Sequence, residues 1–256
     1  GLGVWQAGDG AEVEQAVTWA LEAGYRHIDT ASIYQNEIGV GKALNSSGID
    51  RDELFVVSKV WNSHQGYDST LKAYQDSLDR LGLDYLDLYL VHWPVAGKYK
   101  DTWRAMEELY LQKKVRAIGV SNFLQHHLED LQTTARITPM VNQMEFHPYL
   151  VQPELLRYCR NNGIQYEAWS PLMQGKVFSI GIFEEMANKY GKTIAQIVLR
   201  WDLHKGVITI PKSVRKERIA SNAALFDFEL SDSDIALLDA QDRGKRFGPD
   251  PDNFDF

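Results

Sequence analysis

The sequence predicts an α/β fold, a (β/α)8 TIM barrel built as a single domain. Short apolar runs alternate with helical patterns eight times, which requires parallel strands joined by crossover helices. The chain has 256 residues with no shift of composition and no low-complexity linker, a length suited to one closed barrel. Most of the apolar runs also end in a polar residue, as strands do when they open onto a common rim.

The first strand is expected at Gly1–Val4, followed by a helix over Ala11–Ala23 that Gly24 stops. Strand Arg26–Asp29 leads to helix Glu37–Ser46, and strand Leu54–Ser58 to helix Ser69–Leu81, closed by Gly82. The run Leu86–Val91 and helix Thr102–Gln112 form the fourth unit, Ala117–Val120 and Leu124–Thr133 the fifth. Strand Met140–Glu145 precedes helix Pro153–Asn161, whose proline suits a first turn and whose end meets Gly163. Strand Gln165–Trp169 precedes helix Thr193–Leu203, and strand Val207–Ile210 precedes helix Lys216–Leu225. A further helix, Ser231–Ala240, starts with a serine cap and acidic first turn. The acidic, proline-containing tail Gln241–Phe256 is expected to lie over one barrel end. The repetition is structural, with no readable sequence repeat. Residues 1–256 are thus expected to form one barrel domain.

Hydrophobic content of 44% and charged content of 24% describe a soluble protein with a full-sized core. No run reaches the ~20 apolar residues that span a bilayer. A net charge of −8 argues against nucleic acid and anionic membranes as partners. The single cysteine, Cys159, forms no internal disulfide, which suits a reducing cytoplasm. No long apolar stripe demands a partner, so a monomer is expected. The chain opens at Gly1 without Met, and we expect residues ahead of it.

The stretch GYRHIDTASIYQNEIGVGKAL, Gly24–Leu44, sets Asp29 at a strand end and Tyr34 on the loop beyond it. Lys59 follows the third strand, His92 the fourth, and Ser121 and Asn122 the fifth. Gln143 lies in the sixth, Ser170 follows the seventh, and Lys212 and Ser213 the eighth. Polar loops alone account for Ser170 or Asn122; they do not account for Asp29, Lys59 and His92 together. A free phenol has a pKa near ~10. An adjacent ammonium from Lys59 would lower it, with Asp29 holding Lys59 in place. With His92 to orient a carbonyl oxygen, such a set can protonate that oxygen as it gains charge. The hydride must come from elsewhere, which points to a nicotinamide cofactor.

No common nucleotide or metal motif supplies that cofactor site. Gly39-Val40-Gly41 continues to Leu44 instead of a third glycine, and Gly191-Lys192-Thr193 has Met186 where a P-loop needs glycine. No HExxH and no Cys/His cluster appears. His126 and His127, adjacent on a helix, are expected to point different ways at the surface. His27 reads as a packing histidine and His147-Pro148 as a turn. The phosphate candidate is Ile210–Asn222, which leaves the eighth strand and enters a helix N-terminus. Lys212, Arg215, Lys216 and Arg218 place four cations within seven residues there. Two bonds to a 2′-phosphate would favour NADP over NAD.

GYRHIDTA-x-x-Y, VSKVW, LYLVHWP, IGVSNF, VNQMEFHP, WSPL and IPKS-x4-R-x3-N stand in the order and spacing of one family. By these motifs, over essentially the whole chain, the sequence resembles the aldo-keto reductases. It is most similar to bacterial members that reduce diketo-gluconate and methylglyoxal. The resemblance implies that Asp29, Tyr34, Lys59 and His92 are the catalytic tetrad, with Tyr34 the proton donor. It also implies NADPH/NADP+ as cofactor and small carbonyls as substrates. Ser121, Asn122 and Gln143 would bind the nicotinamide carboxamide, and Trp169 would stack on the ring. Ser170, Leu172 and Gln174 would cover the pyrophosphate. Lys212, Ser213 and Arg218 would hold the 2′-phosphate and Asn222 the adenine, with Gly3, Val4, Trp5, Pro211 and Val214 completing the cofactor site. Trp5, Trp61, His92, Trp93 and Phe256 would wall an open substrate pocket. No metal is implied. The family's N-terminal hairpin is not in this sequence and is expected among residues ahead of Gly1, and Ser221 stands where some members have an acidic residue at the adenine. A Schiff-base aldolase using Lys59, and a nucleotide-binding barrel without turnover, are the competing readings.

Overall fold

A computed structural model describes residues 1–256. Eight parallel strands follow one another in chain order. They are β1 (Leu2–Gly3), β2 (His27–Asp29), β3 (Phe55–Val60), β4 (Leu86–Val91), β5 (Val115–Ser121), β6 (Val141–Glu145), β7 (Gln165–Trp169) and β8 (Ile208–Thr209). The sheet closes on itself: Gly3 pairs in parallel with Lys212, and its N–H donates to Pro211 O at 3.2 Å. A Cβ at residue 3 would lie 2.8 Å from Ile210 O, so glycine is what lets this seam shut.

Helices cover the outside of the strands. They are α1 (Ala11–Glu22), α2 (Glu37–Ser46), α3 (Tyr67–Leu81), α4 (Tyr99–Leu111), α5 (Gln125–Gln132), α6 (Pro153–Asn161), α7 (Gly181–Tyr190), α8 (Ile194–His204), α9 (Lys216–Ala223) and α10 (Asp232–Asp239). Most bounds agree with the sequence expectation to within a residue or two, and α4 starts a turn earlier because Tyr99 is buried. The strand–helix alternation predicts no helix at α7. That helix buries Phe183, Met186 and Ala187 and stops at Gly191, whose φ is 63°. It leads directly into α8, so it breaks the strand–helix alternation used to find the others.

Two apolar layers follow from the two faces of each strand. Fifty-three residues form the layer between strands and helices. Val57, Leu88, Leu90 and Val141 form a small separate cluster. Two-residue periodicity puts Lys59 on the Val57 face of β3, and His92 continues the Leu88–Leu90 face of β4. No helix is long and apolar enough to cross a membrane.

Candidate active site

The strand ends bring the expected tetrad together. Asp29 and Lys59 are both buried, and Lys59 Nζ lies 2.6 Å from Asp29 Oδ1. Lys59 Nζ also donates to Thr30 O at 2.9 Å. Tyr34 ends a 3-10 turn, Ser32–Tyr34, that Ser32 ties to β3 by donating to Lys59 O at 3.1 Å. The Tyr34 ring centroid is then 5.0 Å from Lys59 Nζ. His92 meets Tyr34 edge-on at 5.8 Å and Trp61 at 5.1 Å between ring centroids.

Burial governs the protonation of these groups. It lifts the Tyr34 phenol above its ordinary value, and Lys59 only partly offsets this. The expectation of a lowered phenol is therefore corrected: Tyr34 holds its proton. For Lys59 burial is the largest single influence and works downward, yet Asp29 and Tyr34 outweigh it and the ammonium is held above its usual value. Burial, with Lys59 beside it, keeps His92 well below the usual histidine range and so neutral. His92 Nδ1 is buried without a hydrogen-bond partner.

A second group surrounds the tetrad. Ser121 Oγ donates to Gln143 O at 2.9 Å, and Asn122 Nδ2 donates to His92 O at 3.0 Å. Trp169 Nε1 donates to Asn122 Oδ1 at 2.9 Å, so the indole and the amide fix each other. Gln143 Nε2 donates to Asp29 Oδ2 at 2.8 Å. Asn122, Ser170 and Gln174 adopt left-handed φ values of 64°, 55° and 53°, which residues with side chains hold only under constraint. Leu172, between the last two, packs on the core.

The basic stretch lies apart from the tetrad at the β8–β1 seam, beside Gly3, Val4, Pro211 and Val214. Ser213 Oγ accepts from Arg215 N at 3.1 Å at the entry to α9. Lys212, Arg215 and Arg218 are exposed and form no ion pair within the chain. Lys216 does not join them, since it pairs with Glu22 at 2.9 Å. Asn222 is buried in α9 at 7% exposure. Trp5 stands on the rim, 47% exposed.

The tail crosses the rim, as expected. Phe256 stacks on Trp61 at 5.7 Å and 9°, and both Phe254 and Phe256 pack on Trp93. Phe247 N and Gly248 N donate to Glu145 at 2.6 and 3.2 Å. A Cβ at residue 248 would come within 2.2 Å of Trp169, so glycine lets the tail run against the indole. Phe254 and Glu145 belong to this region, and no local sequence pattern assigns them a place in it. His126 and His127 also differ from expectation. Their rings lie 4.0 Å apart and both reach Asp252 of the tail, at 2.8 and 3.4 Å. His27 packs on Phe55, and His147 caps a turn to Leu150. Cys159 is buried, and burial pushes its thiol up to about 11.

Residues 1–243 match the sequence pattern of the Aldo/keto reductase family. The chain is 56% identical over 256 residues to a glyoxal reductase of Bacillus subtilis (strain 168), covering 100% of this chain and 93% of that one. It is 49% identical over 258 residues to the methylglyoxal reductase DkgA of Salmonella typhimurium, covering 99% and 93%. Among solved structures it resembles MGS-M4, an aldo-keto reductase from a Medee basin deep-sea metagenome library. That match has a TM-score of 0.97 and 46% identity, covering 100% of this chain and 95% of the other. A Bombyx mori aldo-keto reductase in complex with NADP matches with a TM-score of 0.90 and 37% identity, covering 98% and 91%.

Proposed function

The chain belongs to the aldo/keto reductase family, and we propose that it is an NADPH-dependent reductase of small aldehydes and ketones, with Tyr34 as proton donor. The observation that carries this reading is the enclosed Asp29–Lys59 pair, 2.6 Å apart, with the Tyr34 ring 5.0 Å from the ammonium. Relatives that act on glyoxal and methylglyoxal support small dicarbonyls as the substrate class.

The residues present fit the cofactor. Lys212 and Arg218 are unpaired cations in a chain of net charge −8, placed beside a helix N-terminus. They and Ser213 would hold the 2′-phosphate, with Asn222 at the adenine and Ser170, Leu172 and Gln174 over the pyrophosphate. Gly3, Val4, Trp5, Pro211 and Val214 would flank it along the seam. Ser121, Asn122 and Gln143 would bind the carboxamide beside the Trp169 face. Bound there, the reduced nicotinamide supplies the hydride.

The chain's own residues handle the proton. Neutral His92 orients the carbonyl oxygen, the Tyr34 hydroxyl donates to it, and Lys59 stabilises the phenolate left behind. Asp29 keeps Lys59 charged, which opposes a Schiff-base role for that amine. Residues 1–256 act as one reductase domain with Trp61, Trp93, Phe254 and Phe256 as the substrate wall. The test is NADPH oxidation against methylglyoxal, glyceraldehyde and nitrobenzaldehyde, with NADH run beside it. Turnover with NADPH and little with NADH is expected. NADPH binding without turnover on any carbonyl would replace this reading with a binding role.

A further inference from the structure

We infer that Glu167 is a positioning residue for the nicotinamide carboxamide, because it shares with Asp29 the two N–H groups of Gln143 and leaves the amide oxygen for the ligand. This rests on the cofactor reading above. Glu167 is 1% exposed and lies on β7 directly opposite Gln143, to which the parallel register pairs it. Gln143 Nε2 donates to Glu167 Oε1 at 2.6 Å and to Asp29 Oδ2 at 2.8 Å. A glutamine amide has two N–H donors and one oxygen acceptor. Both donors are spent on carboxylates, and a flipped amide would aim its oxygen at them. The orientation is therefore dictated by charge. Only an acceptor, Oε1, is left to offer, and the carboxamide N–H2 is its complement.

The chain Glu167–Gln143–Asp29–Lys59 also connects this carboxylate to the tetrad. The groups facing Glu167 come from every neighbouring strand. β2 brings Asp29 and His27, whose Nε2 is 3.8 Å from Glu167 Oε2, and β3 brings Lys59. β6 brings the Gln143 amide and β8 the non-titrating Ile208. Burial first, then Asp29, raises the Glu167 carboxyl to about 7 against the pull of the Gln143 hydrogen bond and of Lys59. As pH falls through that value Glu167 gains a proton and becomes a weaker acceptor, so its hold on Gln143 slackens on the acid side.

The test compares wild type with Glu167→Gln, which keeps an acceptor oxygen but cannot ionise, and Glu167→Leu, which keeps neither. The side-chain N–H2 signals of Gln143 are followed by 15N NMR in the protein without cofactor. They should titrate near neutrality in wild type and stay flat in Glu167→Gln. NADPH affinity, followed by fluorescence quenching, should fall about tenfold in Glu167→Leu. Wild-type affinity should weaken on the acid side relative to Glu167→Gln, with titration of the cofactor's own phosphate common to all three. Gln143 signals that do not titrate in wild type, or a Glu167→Leu protein with wild-type affinity at every pH, would overturn the assignment. A wild type that titrates at Gln143 yet binds no NADPH would instead sink the functional reading, and this assignment with it.

Discussion

The barrel buries an aspartate against cations at each end, and the two are built differently. At the strand starts Asp87 forms an ion pair with Arg51 at 2.8 Å and accepts from Arg116 at 3.0 Å and from Val56 N at 2.9 Å. Its arginines reach water, with side chains 24% and 58% exposed. At the strand ends Asp29 meets Lys59, whose side chain is 0% exposed. Arginine stays charged and hydrated at the first place; lysine at the second is desolvated, close to a phenol, and able to respond to it. The backbone differs in the same sense. Turns entering strands at the first end mostly use glycines such as Gly24 and Gly82 for positive φ, with Lys113 the exception, whereas the rim holds Gln35, Asn122, Ser170 and Gln174 there beside its own glycines. The first end holds its aspartate with hydrated cations. The other encloses its charge, as the proposed proton transfer requires.

Lys59→Met should show the largest effect, because it strikes the enclosed pair. Turnover should fall by about 10²–10⁴. Stability should also fall, by about 3–5 kcal/mol, since Asp29 is left buried and uncompensated. Urea denaturation beside steady-state kinetics checks both. Next in size, Lys212→Ala or Arg218→Ala should weaken NADPH binding by about 1.5–3 kcal/mol each and leave NADH binding unchanged. Equal losses for the two cofactors would remove the 2′-phosphate from the basic edge. At the opposite end, Asp87→Asn should lower stability by about 1–3 kcal/mol with kcat unchanged. A kcat loss at constant fold there would erase the division between the two ends. The smallest change is expected from Phe256→Ala, which loses the stack on Trp61. It should shift KM for aromatic aldehydes by about 0.5–1.5 kcal/mol and leave methylglyoxal nearly untouched.

The same division decides what could be read in the sequence. Strands, most helices and the meeting of Asp29, Tyr34, Lys59 and His92 at one rim are legible because apolar runs and the polar residues ending them are local signals. The helix Gly181–Tyr190 was not, since it sits between a loop and another helix and interrupts the alternation. The tail contacts were invisible for a different reason: Glu145 takes Phe247 N across 102 positions, and no local pattern encodes that. Glu167 looked like any charged residue in a short strand, and only the register with Gln143 gives it a partner. The Tyr34 shift runs opposite to the expectation because a nearby lysine can be inferred from spacing, while the depth of burial cannot.

The most direct measurement is on Tyr34→Phe, with NADPH affinity and methylglyoxal turnover determined on the same protein. The expected result is NADPH affinity within about twofold of wild type and turnover reduced by about 10²–10⁴ or more. Wild-type turnover from Tyr34→Phe would contradict the assignment of the rim phenol as the proton donor.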